Sequence, residues 1–499
     1  MKRFILTTSL FFLCIFSFGQ ISFQKSFPEI DMYIDSIMKD WNIPGLALGI
    51  VYNDHLIYSK GYGYRDVENK LPILPSTLFT IASNTKLFTA TAAVMLQEDG
   101  KLNLDKPVRT LMPSLSFYND DLNNHVTLRD MLSHRTGLPT YDFIWDGDFT
   151  RKEVVNKISL MKPILGLREG YIYNNMMYIG VGAVMESVTG KSWEDIIREK
   201  LLNPLQMTST VFSTEEKKKI GNYALSYFEK DSTHKLAVYY YVLQTDAIGP
   251  AGGIKSSVED MSHWMIAQLN KGMYAGKQVI PENAINETIA PNTIIEKATK
   301  YDELTVGLYG LGRIMKMYKG VNILTHTGSL DGFYSNLTFI PKSKIGIFMV
   351  HNGSRGGAIR SVMAFPIIDK LLGLSFTPWS SRYLANEKIN TARDKHIEDS
   401  IKNNRVKGTF PSHVLTAYVG NYINPLFGEF KVELINNTLQ LTAWKITATL
   451  NHIHYDYFGT NQDGTALPSF NIKFLTNEKG EIDRFSNSDF GDEEFFVRK

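Results

Sequence analysis

Ser83 and Lys86, in the string F-T-I-A-S-N-T-K-L-F-T-A, are the residues whose types and spacing best suit covalent chemistry. Residues three apart lie on one face of a helix, so the Lys86 amine can reach the Ser83 hydroxyl. A serine hydroxyl is a weak nucleophile until a base takes its proton. A buried lysine can be that base, because desolvation favours the neutral amine. A helix N-terminus at the serine adds positive potential where an oxyanion would develop. Further along, Tyr173-Asn174-Asn175 offers a phenol and an amide two residues apart. His326-Thr327-Gly328-Ser329 then supplies polar groups around a glycine that allows close approach of a substrate.

The tetrapeptide S-x-x-K alone carries little weight, since it recurs at Ser22, Ser36, Ser159 and Ser232. Each of these reads as a surface serine with a lysine nearby. Ser22 adjoins an expected cleavage point, Ser36 sits in an amphipathic first helix, Ser159 runs into Pro163, and Ser232 lies in a polar loop. Ser83 differs in leading a run of small and apolar residues and in having partners downstream in a sensible order.

The elements that must position these residues can be read coarsely. Pro28 to Trp41 has helical spacing of Ile30, Ile34, Ile37 and Met38. Leu46 to Tyr52 and Leu56 to Tyr64 read as a β-hairpin turning at Asn53-Asp54. Ile81 to Leu96 reads as a buried helix stopped at Gly100. Leu337 to Ile340 and Ile345 to Val350 form a second hairpin around Pro341-Lys342-Ser343-Lys344. Strands at both ends with helices between imply one sheet assembled from both termini. Pro378 to Lys407 is polar and reads as a linker, partly helical. From Phe410 onward, alternation of Phe430, Val432 and Leu434, and turns at Asn436-Asn437, Asp463-Gly464 and Lys479-Gly480, indicate a small all-β barrel or sandwich. The expected organisation is therefore a leader over residues 1–19, a mixed α and β domain carrying the catalytic candidates over 20–377, a linker over 378–409 and a β-barrel over 410–499.

Composition excludes several classes of function. The 499 residues carry 53 Lys+Arg against 51 Asp+Glu, a net charge of +2, so nothing favours nucleic-acid binding. The longest basic run, Lys217-Lys218-Lys219, reads as a solvated helix face. Lys2 and Arg3 followed by an apolar run to Phe18 and then Gly19 read as a signal peptide, too short to span a bilayer comfortably. A periplasmic or secreted protein without stable membrane insertion is expected. The single cysteine, Cys14, lies in that leader behind bulky Phe12 and Leu13, which does not suit lipidation. A mature chain without cysteine excludes disulfides, thiol catalysis and cysteine-ligated zinc.

Other chemistries fit less well. The strained serine turn G-x-S-x-G is absent, and His134, in L-S-H-R-T-G-L-P, reads as part of a structural turn rather than a triad base. His452 and His454 could share one strand face, but no third metal ligand accompanies them and their aromatic neighbours suggest a barrel wall. Tyr239-Tyr240-Tyr241 reads as core packing sooner than a cleft lining.

Taken with W-N-I-P-G-L-A-L-G-I-V at Trp41 to Val51, L-S-H-R-T-G-L-P at Leu132 to Pro139, P-A-G-G-I at Pro250 to Ile254 and H-T-G-S-L-D-G-F at His326 to Phe333, these motifs give the chain a family likeness. It resembles the serine β-lactamase and D,D-peptidase (penicillin-binding protein) superfamily, in its class-C-like branch, over about residues 27 to 375. The tail more loosely resembles a lipocalin-like β-barrel. The resemblance implies an α+β fold, an antiparallel sheet flanked by helices, and a serine hydrolase acting on an amide or ester with no cofactor. It implies Ser83 as the acylated nucleophile, Lys86 as its base, and Tyr173 as the proton carrier to the leaving group. Asn175 would hold the acyl amide, the backbone N–H groups of Ser83 and Ser329 would form the oxyanion hole, and His326, Thr327 and Gly328 would line the substrate. β-Lactamases usually carry lysine where this chain has His326, and a mostly neutral histidine anchors a carboxylate less well. A D-amino-acid peptide, a β-lactam and a small ester all fit this machinery. A penicillin-binding sensor that acylates once without turnover is the alternative. The sequence leaves oligomeric state open.

Overall fold

The computed structural model describes residues 8–141, 149–230, 235–238, 245–295, 298–330, 332–353, 355–403, 405–444, 446–460, 471–487, 490 and 494–499. Its organising element is the strand Gly45–Tyr52, whose residues are buried on both faces up to Val51. Alternation along it sorts side chains between two cores: Ala47 and Val51 join the larger one, while Leu46, Leu48 and Ile50 join the smaller. On one side it pairs antiparallel with His55–Asp66, through a turn at Asn53 in the left-handed region (φ 56°). On the other it pairs with Ile345–His351, in the register Leu46 to His351 through Tyr52 to Ile345. The sheet is thus closed by strands from opposite ends of the domain. Continuing outward come Phe333–Ile340, Val321–Leu330, Ile314–Tyr318, Leu308–Tyr309 and Thr293–Ile294; with Leu71–Pro72 beyond His55–Asp66 at the other edge, the described residues form nine antiparallel strands.

Helices cover both faces. The smaller core lies beneath the first helix, Thr8–Asp40, and Phe365–Leu372, which contribute Ile30, Ile34, Ile37, Phe365, Ile367 and Ile368. Among the described residues, no helix is long and apolar enough to cross a membrane. The larger core lies beneath Thr85–Glu98, Asn175–Thr189 and Val258–Leu269. Val258–Leu269 approaches the sheet closely, because a Cβ on Gly49 would lie 2.6 Å from Val258 and one on Gly346 would lie 3.1 Å from Met265. Glycine at these strand positions leaves room for the helix.

The polar stretch read as a linker is helical from Trp379 to Asn403. Its first residue is anchored in the hydrolase domain. Trp379 is fully buried, packs edge-on against Phe365 (5.4 Å) and Tyr301 (5.0 Å), and donates from Nε1 to the Tyr318 hydroxyl at 3.1 Å. Of the basic run, Lys218 and Lys219 are exposed as expected, whereas the Lys217 amine lies over the Tyr223 and Phe333 rings.

The C-terminal domain is a closed eight-stranded barrel from Gly420–Asn424 to Phe495–Arg498, its first strand pairing with its last at Tyr422 and Arg498. Asn436 and Asn437 both take positive φ (50° and 61°), the geometry of a tight hairpin. Inward residues include Tyr422, Phe430, Phe474, Phe485 and Phe496, all buried and in ring contact with one another. Aromatic rings therefore fill its interior. Asp463-Gly464 falls outside the described residues.

Trp379→Ala should lower the stability of the hydrolase domain by about 3–5 kcal/mol, the usual cost of truncating a large buried ring. Denaturant unfolding measures this; an unchanged midpoint would show that the helix only tethers the barrel.

Candidate active site

Ser83 sits in a short 3-10 turn, Ala82–Asn84, that feeds directly into the buried helix Thr85–Glu98. The residue before it, Ala82, has φ 49°, a left-handed conformation uncommon for a side chain other than glycine. Surrounding contacts hold that turn in place. Ile81 N–H bonds the Ile254 carbonyl (3.0 Å), Ser335 Oγ donates to the Ile81 carbonyl (2.7 Å), and Asn84 Nδ2 donates to Ser335 Oγ (2.8 Å). A Cβ on Gly328 would lie 2.2 Å from the Ile81 oxygen, so only glycine lets the strand Val321–Leu330 lie against the serine turn. This close approach sets Ser329, one residue on, at the edge of the cavity beside Ser83.

Lys86 is fully buried one turn into the helix. Its Nζ lies 3.2 Å from Ser83 Oγ, 2.5 Å from Asn175 Oδ1 and 2.8 Å from the Ala251 carbonyl. The last two partners can only accept. As a neutral amine, Lys86 would spend both N–H groups on them, leaving its lone pair toward Ser83. The same amine lies 4.8 Å from the centre of the Tyr173 ring and 5.3 Å from that of Tyr178. Ser83, Lys86, Tyr173 and Asn175 therefore meet around one amine. The other serines of the S-x-x-K strings are bonded locally where described: Ser36 to Asp40 and Ser159 to the Asn156 carbonyl. Ser232 lies outside the described residues.

Asn175 begins the helix Asn175–Thr189, and Asn174 caps it by accepting from Met177 N–H (3.3 Å). Tyr173 precedes the cap in irregular backbone. His134 brackets this segment: its carbonyl accepts from Ile172 N–H (2.9 Å) and its Nδ1 accepts from Asn174 N–H (3.1 Å). Nδ1 is thus an acceptor, and the imidazole is neutral. Burial, then the charge of Lys86, holds its pKa well below the ordinary value. The turn carrying His134 is fastened by Asp130, fully buried and bonded to Arg135 (2.7 Å) and Arg168 (2.8 Å). Burial alone would raise the Asp130 pKa; bonds from Arg168 and Thr127 and the charge of Arg135 bring it below the usual range.

His326 lies on Val321–Leu330 but is buried, with Nε2 3.0 Å from the Tyr309 hydroxyl and Nδ1 2.7 Å from the Thr327 carbonyl. Burial, followed by the charge of Lys86, pushes its pKa down to about 3. It is a neutral, buried ring whose centre lies 6.3 Å from that of Tyr173. The cavity beside Ser83, about 130 Å³, is lined instead by Asn175, Ile248, Ala251, Gly252, Ser329 and Leu330. Thr327 and Gly328, expected to line the substrate, are not among the residues lining this cavity; Gly328 instead packs against the serine turn.

Sequence reasoning did not assign the Ala251 carbonyl, Ile248, Leu330 or the bracketing role of His134. P-A-G-G-I marked the first as a motif without a role, because a backbone acceptor has no side-chain signature. In the barrel, His452 Nε2 donates to the Tyr455 carbonyl (2.8 Å) and His454 stacks on Tyr457. Among the described residues, no group of three or more potential ligands is placed to hold a metal. Tyr239-Tyr240-Tyr241 lies outside them.

Comparison with known proteins places this geometry. A family model described as Beta-lactamase matches residues 30–370, and one described as Domain of unknown function (DUF3471) matches residues 404–498. An unguisins hydrolase of Aspergillus campestris is 26% identical over 431 residues, 82% of this chain and 77% of that protein. The octameric penicillin-binding protein homologue from Pyrococcus abyssi superposes with a TM-score of 0.62 at 22% identity, covering 95% of this chain and 100% of that one. A D-amino acid amidase from Ochrobactrum anthropi gives 0.55 at 23% identity over 69% of this chain and 98% of that one. At these identities the two structures share the fold.

Acid should destabilise the protein through its buried histidines. As pH falls below about 6.5 the unfolded chain takes up protons that His326 refuses until about pH 3, so stability drops across that interval. Each such imidazole contributes a slope of up to about 1.4 kcal/mol per pH unit. Denaturant unfolding between pH 6 and 4 should show a shallower slope in His326→Gln; equal slopes would mean the ring is protonated in the fold.

Proposed function

Because this chain belongs to the beta-lactamase family, whose model spans residues 30–370, and is a hydrolase of that family, we propose that it cleaves amides through an acyl ester on Ser83. The observation carrying this reading is the contact of Lys86 Nζ with Ser83 Oγ at 3.2 Å, while Asn175 Oδ1 and the Ala251 carbonyl accept from the same amine. Ser83 Oγ attacks the scissile carbonyl carbon while Lys86 takes its proton. The oxyanion is met by the backbone N–H groups of Ser83 and Ser329, where one lost donor costs about 100–1,000-fold in rate. The proton then passes by way of the Tyr173 hydroxyl to the departing nitrogen, and the C–N bond breaks. Water, deprotonated along the same path, releases the acid and restores Ser83.

The substrate class is read from the described residues on and around the cavity. With His326 neutral and buried, that strand offers no cation for a carboxylate beside the scissile bond. Ile248, Ala251 and Leu330 instead favour an apolar, uncharged acyl group. An amide whose flanking groups are neutral fits better than a free terminal dipeptide. The likeness to an unguisins hydrolase supports hydrolysis, and that to a D-amino acid amidase supports an amide of D configuration. Lys2, Arg3 and the apolar run that follows over residues 1–19 support a reading in which the protein is exported and acts outside the cytoplasm.

Ser83→Ala should reduce turnover of a D-amino acid amide by about 1,000-fold or more and abolish the mass increment of an acyl adduct. Wild-type enzyme should prefer a D-alanine amide over D-alanyl-D-alanine by about tenfold or more in kcat/KM, the scale of one unmet carboxylate. Turnover surviving in Ser83→Ala rejects the mechanism; preference for the free dipeptide rejects the substrate class.

A further inference from the structure

The C-terminal barrel touches the hydrolase domain next to the segment that carries Tyr173. We infer that the barrel positions Tyr173, its Pro425–Gly428 turn acting through Tyr141 and Thr140. The inference rests on the role given to Tyr173 above.

Tyr173 occupies irregular backbone, so hydrogen bonds from outside its own segment fix it. His134 supplies those on one side. The stretch Leu138 to Thr140 supplies those on the other. Asn174 Nδ2 donates to the Pro139 carbonyl (2.6 Å), and the Thr140 hydroxyl donates to the carbonyl of Tyr173 itself. His134 is backed by the buried Asp130 cluster, but Thr140 is exposed, where water competes for its bond. Something must hold this stretch against the helix cap.

The barrel does so at the next residue. The Tyr141 ring meets Phe427 edge-on, with centroids 5.3 Å apart and planes at 88°. Phe427 is itself immobilised. It is fully buried, packs on Phe490 (4.4 Å), and gives its carbonyl to Trp444 Nε1 (3.1 Å), while its N–H bonds Asn424 Oδ1 (3.2 Å). Adjacent contacts lock the turn to the hydrolase domain. Lys157 Nζ donates to the Pro425 carbonyl (2.8 Å) and lies 4.3 Å from the Phe149 ring centre. Gly428, at φ 93°, comes so near that an added Cβ would be 3.2 Å from Phe149. Rigid contacts thus run from the barrel through Phe427, Tyr141 and Thr140 to the Tyr173 carbonyl. Proton transfer is sensitive to displacements on the order of 1 Å, which can cost about 100-fold in rate. A wall at Tyr141 is therefore a wall for the reaction.

The test is a double-mutant cycle on the full chain, with D-amino acid amide turnover as readout. Phe427→Ala and Thr140→Val should each lower kcat about tenfold with KM within about twofold. The double variant should be no slower than the slower single one, because both break one path. Thr140→Ser, which keeps the hydroxyl, should restore kcat to within about twofold of wild type, unlike a merely structural lesion. Tyr141→Ala leaves the barrel sequence intact and should match Phe427→Ala, which guards against a barrel that fails to fold. Losses that multiply in the double variant, or a Tyr141→Ala enzyme of normal kcat, overturn the inference. Ser83→Ala and Tyr173→Phe belong in the same series. If Tyr173→Phe is fully active, the assignment of Tyr173 fails; if it is inactive while Phe427→Ala is normal, only the coupling fails.

Discussion

A buried amine that must satisfy every one of its hydrogens is the constraint on which this structure depends. Lys86 is fully buried, and its partners come from different parts of the chain. Ser83 comes from the turn before its own helix, Asn175 from the start of a second helix, and Ala251 from the end of a third. Those three helices, the third being Thr245–Gly252, all contribute to the larger core, which brings their ends to one point. The chemistry of the site and the packing of the domain are in this sense the same requirement.

The surroundings of that amine are arranged to stay uncharged. Both nearby imidazoles, His134 and His326, are buried and held neutral, by desolvation first and by Lys86 second. A protonated histidine beside Lys86 would cost both groups dearly in a low-dielectric interior. Neutral rings can instead serve geometry: one brackets the Tyr173 segment, the other ties the strand Val321–Leu330 to Tyr309. The region keeps its single basic group for the serine.

How much of this could be read from the sequence depended on whether the information was local. The S-x-x-K spacing placed Ser83 and Lys86 on one helical face without any knowledge of tertiary structure. The two hairpins were legible from alternation and from Asn53-Asp54 and Pro341-Lys342, and the pairing of strands from opposite ends followed from their positions. What remained hidden was non-local. Ala251 acts through a carbonyl that any residue could supply. His326 is a polar residue on a strand, and nothing in H-T-G-S tells whether its ring faces the cavity or the core. The polar stretch after Pro378 looked like a linker because charged residues dominate it; Trp379 and the pairs Arg382–Glu303 and Glu387–Arg355 fasten its first half to the hydrolase domain, and composition does not reveal such partners.

The pairing of Gly45–Tyr52 with Ile345–His351 has a consequence for the chain as it is made. Synthesis delivers the first strand early, yet its partner on one side emerges only after the entire stretch between Tyr52 and Ile345. Until then, one edge of an almost wholly apolar strand stays unpaired. Such edges invite association with other chains, and long-range pairing of this kind slows folding. The nascent polypeptide must therefore be kept apart from its neighbours until nearly three quarters of it exists.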